Sequence, residues 1–242
     1  GEGTIIASCE PKAGADGQAG EETLSFDAAT RTFSGTPGNA DVGSLGGQSE
    51  MLAQQGYDET TALIARWHGR DRLRYAISPR FAITSTPEQL RAAGTLAAEH
   101  PGLHVQTHLS ENRAEIDFTL SLYPQARDYL DVYDREGLLG PRTLMGHAIH
   151  LCARELARMA DTGTRAIHCP TSNLFLGSGL FPLKAIRRRE KPVRVGVATD
   201  IGGGSSYSMF KTMDEAYKIQ QLRGTSLDPF QALYLATLGD RK

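Results

Sequence analysis

Leu103-His104-Val105-Gln106-Thr107-His108, followed by Leu109-Ser110-Glu111, is the stretch on which the fold turns. A short apolar run reads as a β-strand, and it delivers an imidazole and then a carboxylate at its C-terminal end. Thr143-Leu144-Met145-Gly146-His147 and Val193-Arg194-Val195-Gly196-Val197-Ala198-Thr199-Asp200 repeat the pattern. Functional groups at the C-terminal ends of successive strands are the arrangement of a βα-barrel enzyme. Two imidazoles and two carboxyls are also what a metal-activated water requires.

Working outward, strand-like and helical segments alternate from Ser49 onward. Arg72 to Ile77 reads as a strand ending at Ser78-Pro79-Arg80-Phe81, and Thr60 to Trp67 carries apolar positions at helical spacing. Thr86-Pro87-Glu88-Gln89 predicts a helix start, with Thr86 as N-cap, Pro87 in the first turn and Gln89 closing a capping box; His100-Pro101-Gly102 stops it. After the strand ending at His108 a helix is expected to open at Glu111, and another runs from Tyr129 to Leu138. Strand Thr143 to His147, helix Ala153 to Asp161 and strand Thr164 to Cys169 follow. A glycine-containing loop and a short helix near Leu183 to Arg188 lead to strand Val193 to Thr199. Helices near Met209 to Leu222 and Pro229 to Leu238 end the series. Five strands alternating with helices predict a parallel sheet, whereas a closed barrel of this class has eight. A doubly wound sheet competes, but Gly202-Gly203-Gly204 lacks the Gly-x-Gly-x-x-Gly spacing of a phosphate loop and directly follows an acidic residue.

Gly1 to Gly47 differs in texture, being rich in Gly, Ala, Ser, Thr and Asp with one short apolar run, Thr4-Ile5-Ile6-Ala7. The expected division is a low-complexity or irregular leader over 1–50 and a barrel domain over 51–242. Within the leader, Leu24-Ser25-Phe26 and Arg31-Thr32-Phe33 are spaced for a loose hairpin.

The 242 residues, 40% of them hydrophobic, suffice for one large domain with a core. A formal net charge of −2 gives no electrostatic basis for binding nucleic acid or an anionic membrane. The Arg187-Arg188-Arg189-Glu190-Lys191 cluster reads as a solvated helix end. Cys9, Cys152 and Cys169 are few and unpatterned, which argues against a disulfide framework and for a reducing, cytoplasmic setting.

Each candidate residue has two readings. His108 can ligate zinc, and Glu111 can take a proton from water and pass it to a leaving group; Glu111 can equally serve only a helix N-terminus. His147, alone at a strand end, fits either a site group or a hydrogen-bonded core histidine. Asp200 after an apolar strand requires a cation or strong donors nearby. Arg80 offers a rigid fork of donors to a planar heterocycle and Phe81 a stacking face. His168 and Cys169 are neighbours on a strand and so point to opposite sides; they are read as structural, with His104 and His150.

Taken together, Ser78-Pro79-Arg80-Phe81, Thr107-His108-Leu109-Ser110-Glu111-Asn112, Tyr129-Leu130-Asp131-Val132-Tyr133, Gly146-His147, Cys169-Pro170-Thr171-Ser172-Asn173-Leu174 and Thr199-Asp200-Ile201-Gly202-Gly203-Gly204 resemble the amidohydrolase superfamily. Within it they are similar to the guanine deaminases, over approximately Gly56 to Gly239. The resemblance implies a (β/α)8 TIM-type metal-dependent hydrolase barrel, of which this chain carries about the last five βα units. It also implies one Zn2+ per chain and hydrolysis of guanine to xanthine and ammonia. On that basis His108 and Asp200 are the metal ligands and Glu111 is the proton shuttle. His147 bonds the attacking water, Asp200 also orients the nucleophile, and Arg80 and Phe81, with His108 and Glu111, hold the purine. A homodimer is the implied assembly. The resemblance departs in one respect: the family's first strand carries His-x-His, which supplies two zinc ligands, and no such pair occurs here, all seven histidines lying at or after His68. Two alternatives therefore stand beside the deaminase: a catalytically silent fragment that needs a partner chain, and an aminohydrolase or chlorohydrolase acting on another heterocycle.

Overall fold

A computed structural model describes residues 25–27, 32–34, 46–187 and 190–239. Two short strands, β1 (Ser25–Asp27) and β2 (Thr32–Ser34), pair antiparallel as the expected hairpin. Helix α1 (Gly46–Trp67) then runs across residue 50 and packs on α2 (Pro87–Glu99). The remaining strands are β3 (Ala76–Ile77), β4 (His104–Leu109), β5 (Thr143–His147), β6 (Arg165–His168) and β7 (Val195–Val197). They form one parallel sheet in the order β3-β4-β5-β6-β7.

Each strand lies beside the one before it in sequence and the order never reverses. A doubly wound sheet reverses at its switch point, so the competing topology is excluded for the described residues. The register aligns the chemistry: His108 stands opposite Gly146 and Leu109 opposite His147, while His168 stands opposite Val197. Strand β7 is shorter than the sequence suggests, and Asp200 lies three residues beyond its end.

The connecting helices are α3 (Arg113–Leu122), α4 (Tyr129–Arg135), α5 (Ala153–Thr162), α6 (Pro170–Phe175), α7 (Leu183–Arg187), α8 (Met209–Leu222) and α9 (Pro229–Thr237). Helix α2 has the expected start, with Thr86 and Gln89 forming the capping box and Pro87 in the first turn. Helix α3 does not open at Glu111. Asn112 caps it, and the Glu115 carboxylate reaches back to the N–H groups of Glu111 and Asn112. Two donors satisfied by one side chain outweigh what Glu111 offers as a helix residue, so Glu111 stays outside α3. A second difference is α6, which occupies the stretch after Cys169 that reads as a loop; Pro170 at its first position marks its start.

The core fills the space between sheet and helices with Leu90, Leu109, Tyr129, Met145, Met159 and Ile186, all fully buried. Each buried side chain of this size contributes about 1.5–3 kcal/mol, which fixes the strand ends relative to one another. Among the described residues Cys152 is exposed and Cys169 buried, both unpaired; Cys9 lies outside them. Arg187 ends α7 and Lys191 pairs with the exposed Asp161; Arg188 and Arg189 of that cluster lie outside the described residues.

Candidate active site

Four of the five non-glycine residues with positive φ among those described are Ser110, His147, Ala148 and Asp200. They stand at the ends of β4, β5 and β7. The left-handed region costs an ordinary residue roughly 1–2 kcal/mol, and such strain persists where surrounding contacts over-determine it, often at functional sites. Here it turns the backbone sharply where the chain leaves the sheet and gathers side chains from three strand ends. The Gly202-Gly203-Gly204 turn after Asp200 is equally constrained. A Cβ on Gly203 would lie 2.8 Å from Ser172 Oγ and 3.2 Å from Asp200 Oδ2, and one on Gly204 would strike the Thr199 carbonyl. These glycines let the backbone pass close behind Asp200.

His147 is 2% exposed and forms the centre of the group. Its Nε2 lies 3.6 Å from Glu111 Oε2 and 3.8 Å from Asp200 Oδ2. On its other side Nδ1 meets Asn173 Nδ2 of α6 at 2.8 Å. Burial pushes the imidazole below its ordinary range; Glu111 opposes that shift, His108 adds to it and Asp200 opposes it. The ring is therefore neutral at neutral pH. Glu111 is held from the far side, its Oε1 accepting a 2.7 Å bond from Ser178 Oγ, so that Oε2 faces His147.

His108 packs between aromatic neighbours, 5.2 Å from Phe81 and 5.1 Å from His147 between ring centroids. The Arg80 carbonyl accepts from its backbone N–H at 3.2 Å and meets its Nδ1 at 2.6 Å. A carbonyl only accepts, so Nδ1 carries the proton and Nε2 presents a lone pair. That is the form in which a histidine ligates metal, fixed through its other nitrogen. The same loop places the exposed Arg80 guanidinium 5.4 Å above the Phe81 ring. Tyr133 of α4, fully buried, ties these pieces together. Its hydroxyl donates to the His108 carbonyl at 2.9 Å and accepts from the Ala82 N–H at 2.9 Å and Thr107 Oγ1 at 3.2 Å.

All the residues singled out from sequence thus meet at one end of the sheet: His108, Glu111, His147 and Asp200 around the centre, Arg80 and Phe81 at its edge. Cys169 also belongs there, because donor atoms of His147, Cys169 and Asp200 lie within 4.8 Å of one another. Burial pushes its thiol up to about 12, with Asp200 adding to the shift. His168 stacks on Phe181, 4.4 Å between ring centroids. Asn173, Ser178 and Tyr133 are the residues that sequence reasoning left without a role. The first two sit on or just after α6, whose Pro170 start signal was present in the sequence.

The sequence profile described as "Amidohydrolase family" matches residues 35–240. The guanine deaminase of Escherichia coli (strain K12) is 48% identical over 190 residues, covering 78% of this chain and 43% of that protein. Its solved structure superposes with a TM-score of 0.75. A guanine deaminase from C. acetobutylicum with bound guanine in the active site is similar at a TM-score of 0.73 and 30% identity, covering 78% of this chain and 46% of that one. An adenosine deaminase from Xanthomonas campestris with bound zinc reaches 0.70 at 25% identity, covering 77% and 42%. The chain spans less than half the length of each.

Proposed function

The chain belongs to the amidohydrolase family, and from that premise we propose that its site serves the zinc-dependent hydrolytic deamination of guanine to xanthine and ammonia. The observation that carries the reading is the convergence of Glu111 and Asp200 on His147, 3.6 and 3.8 Å from its Nε2, beside an imidazole whose Nε2 is free. The choice of guanine rests on the 48% identity to the E. coli enzyme and on the Arg80–Phe81 pair, which supplies donors and a ring face to a planar purine.

The residues present fit a divalent metal of the zinc type. Donor atoms of His147, Cys169 and Asp200 lie within 4.8 Å of one another and the His108 ring centroid is 5.1 Å from that of His147; by the family resemblance His108 and Asp200 would hold the ion. When bound, zinc supplies Lewis acidity that makes hydroxide accessible near neutral pH.

Glu111 takes the proton of the attacking water on Oε2, while Ser178 holds Oε1. The same carboxyl gives that proton to the ring nitrogen beside the attacked carbon; a second proton, from the hydroxyl now on that carbon, passes through it to the departing amine, so that the C=O bond forms as the C–N bond breaks and ammonia leaves. Asp200 orients the water, and His147 stabilises the charge that develops opposite. Positioning of this kind is worth several kcal/mol of barrier when the groups are held in place beforehand.

Ammonia release from guanine by the zinc-loaded chain is the decisive measurement. Glu111→Gln should lower turnover by roughly 10²–10⁴-fold while zinc content stays unchanged. A wild-type chain that binds zinc stoichiometrically yet releases no ammonia from guanine overturns the reading.

A further inference from the structure

We infer that Asn173 is a positioning residue that sets His147 in the tautomer opposite to that of His108, so that the two imidazoles at neighbouring strand ends do different work. The inference builds on the reading of His147 as a hydrogen-bonding group in the proposed reaction, although its central claim concerns where one proton resides.

Three observations point the same way. The Arg80 carbonyl meets His108 Nδ1 at 2.6 Å, which places the proton on Nδ1 and leaves Nε2 as a lone pair. At His147 the group facing Nδ1 is the Asn173 amide nitrogen, at 2.8 Å. An amide NH2 only donates, so Nδ1 is the acceptor and the proton of the neutral ring resides on Nε2. The two ends of an amide are interchangeable in shape, and its surroundings decide between them.

From one side, Nε2 faces two carboxylates, Glu111 Oε2 at 3.6 Å and Asp200 Oδ2 at 3.8 Å. A lone pair aimed at two carboxylates is repelled, whereas an N–H is attracted to both. From the other side, Asn173 Oδ1 has no hydrogen-bond partner among the described residues, so nothing holds the amide in the opposite orientation. Asn173 is fully buried on α6, so water does not compete for either end.

The consequence is a division of roles. His108 presents a lone pair suited to a metal, and His147 presents an N–H suited to a developing negative charge. Without Asn173 the His147 tautomer would follow the carboxylates alone, and a residue that only accepts at position 173 would draw the proton to Nδ1.

Long-range ¹H–¹⁵N correlation spectra of the metal-free chain read the tautomers directly. The expected result is a proton on Nδ1 of His108 and on Nε2 of His147 in the wild type. In Asn173→Asp the His147 proton should move to Nδ1, and in Asn173→Ala the preference for Nε2 should weaken, with His108 unchanged in both. A wild-type His147 protonated on Nδ1 overturns the inference without recourse to any variant; so does a folded Asn173→Asp that keeps the proton on Nε2. In the zinc-loaded chain Asn173→Asp should lower kcat about 10–100-fold, the usual effect of a group supporting a site residue, with KM for guanine nearly unchanged. A wild-type chain without turnover counts against the deaminase reading and leaves the spectroscopic result to decide the tautomer on its own.

Discussion

Single protons decide much of this site. His108 and His147 occupy equivalent places at the ends of adjacent strands, yet one meets a carbonyl and the other an amide nitrogen. Identical side chains thereby acquire different capacities. His168 shows a third outcome: burial holds it down at about 3, the neighbouring His147 pushes the same way, and Asn173 opposes them. An unfolded histidine titrates near 6.5. Below that pH the unfolded chain binds a proton that the folded chain refuses until about 3. The stability His168 contributes is therefore complete above about 6.5 and is lost as pH falls from there towards 3. The slope is at most about 1.4 kcal/mol per pH unit, and His147, also shifted down, adds the same sign. Urea unfolding at pH 7.5 and pH 5 should show a clear loss at the lower pH, and His168→Leu should make the dependence shallower. His108, Glu111, His147, Asp200, Arg80 and Phe81 were legible because each ends a strand-like run. Asn173 and Ser178 were not, because a hydrogen bond across 26 or 67 residues leaves no local pattern.

Among elements, caps were readable and long-range ties were not. Thr86 and Gln89 start α2 through contacts three residues apart, so the sequence alone sufficed. Helix α3 depends on the same chemistry shifted by one choice of cap, and the Asn112–Glu115 pair released Glu111 for the site. Tyr133 acts between elements. It joins α4 to the end of β4 and to the loop carrying Arg80 and Phe81. Tyr133→Phe removes an acceptor from a buried N–H and should destabilise the chain by about 1–3 kcal/mol. Chemical denaturation gives that value, and a change below about 0.5 kcal/mol would mean the hydroxyl is not needed to hold the loop.

Over the molecule as a whole, β4, β5 and β6 are flanked on both sides while β3 and β7 have one described neighbour each. Protection against exchange follows local burial and hydrogen bonding. Amides of Thr107, Met145 and Ala166 should exchange most slowly and those of β3 fastest within the sheet, by at least tenfold. Uniform protection across all five strands would contradict this arrangement. No helix among the described residues is long and apolar enough to cross a membrane.

The sequence by itself determined the alternation of strands and helices, the parallel sheet they imply and the residues delivered to the strand ends, because apolar periodicity, prolines and caps act over a few residues. Tertiary structure alone decided the singly wound strand order, the left-handed turns at Ser110, His147 and Asp200, and which group faces Nδ1 of His108 and of His147. Those depend on partners brought together from distant parts of the chain, and a proton settles according to the group that faces it in space.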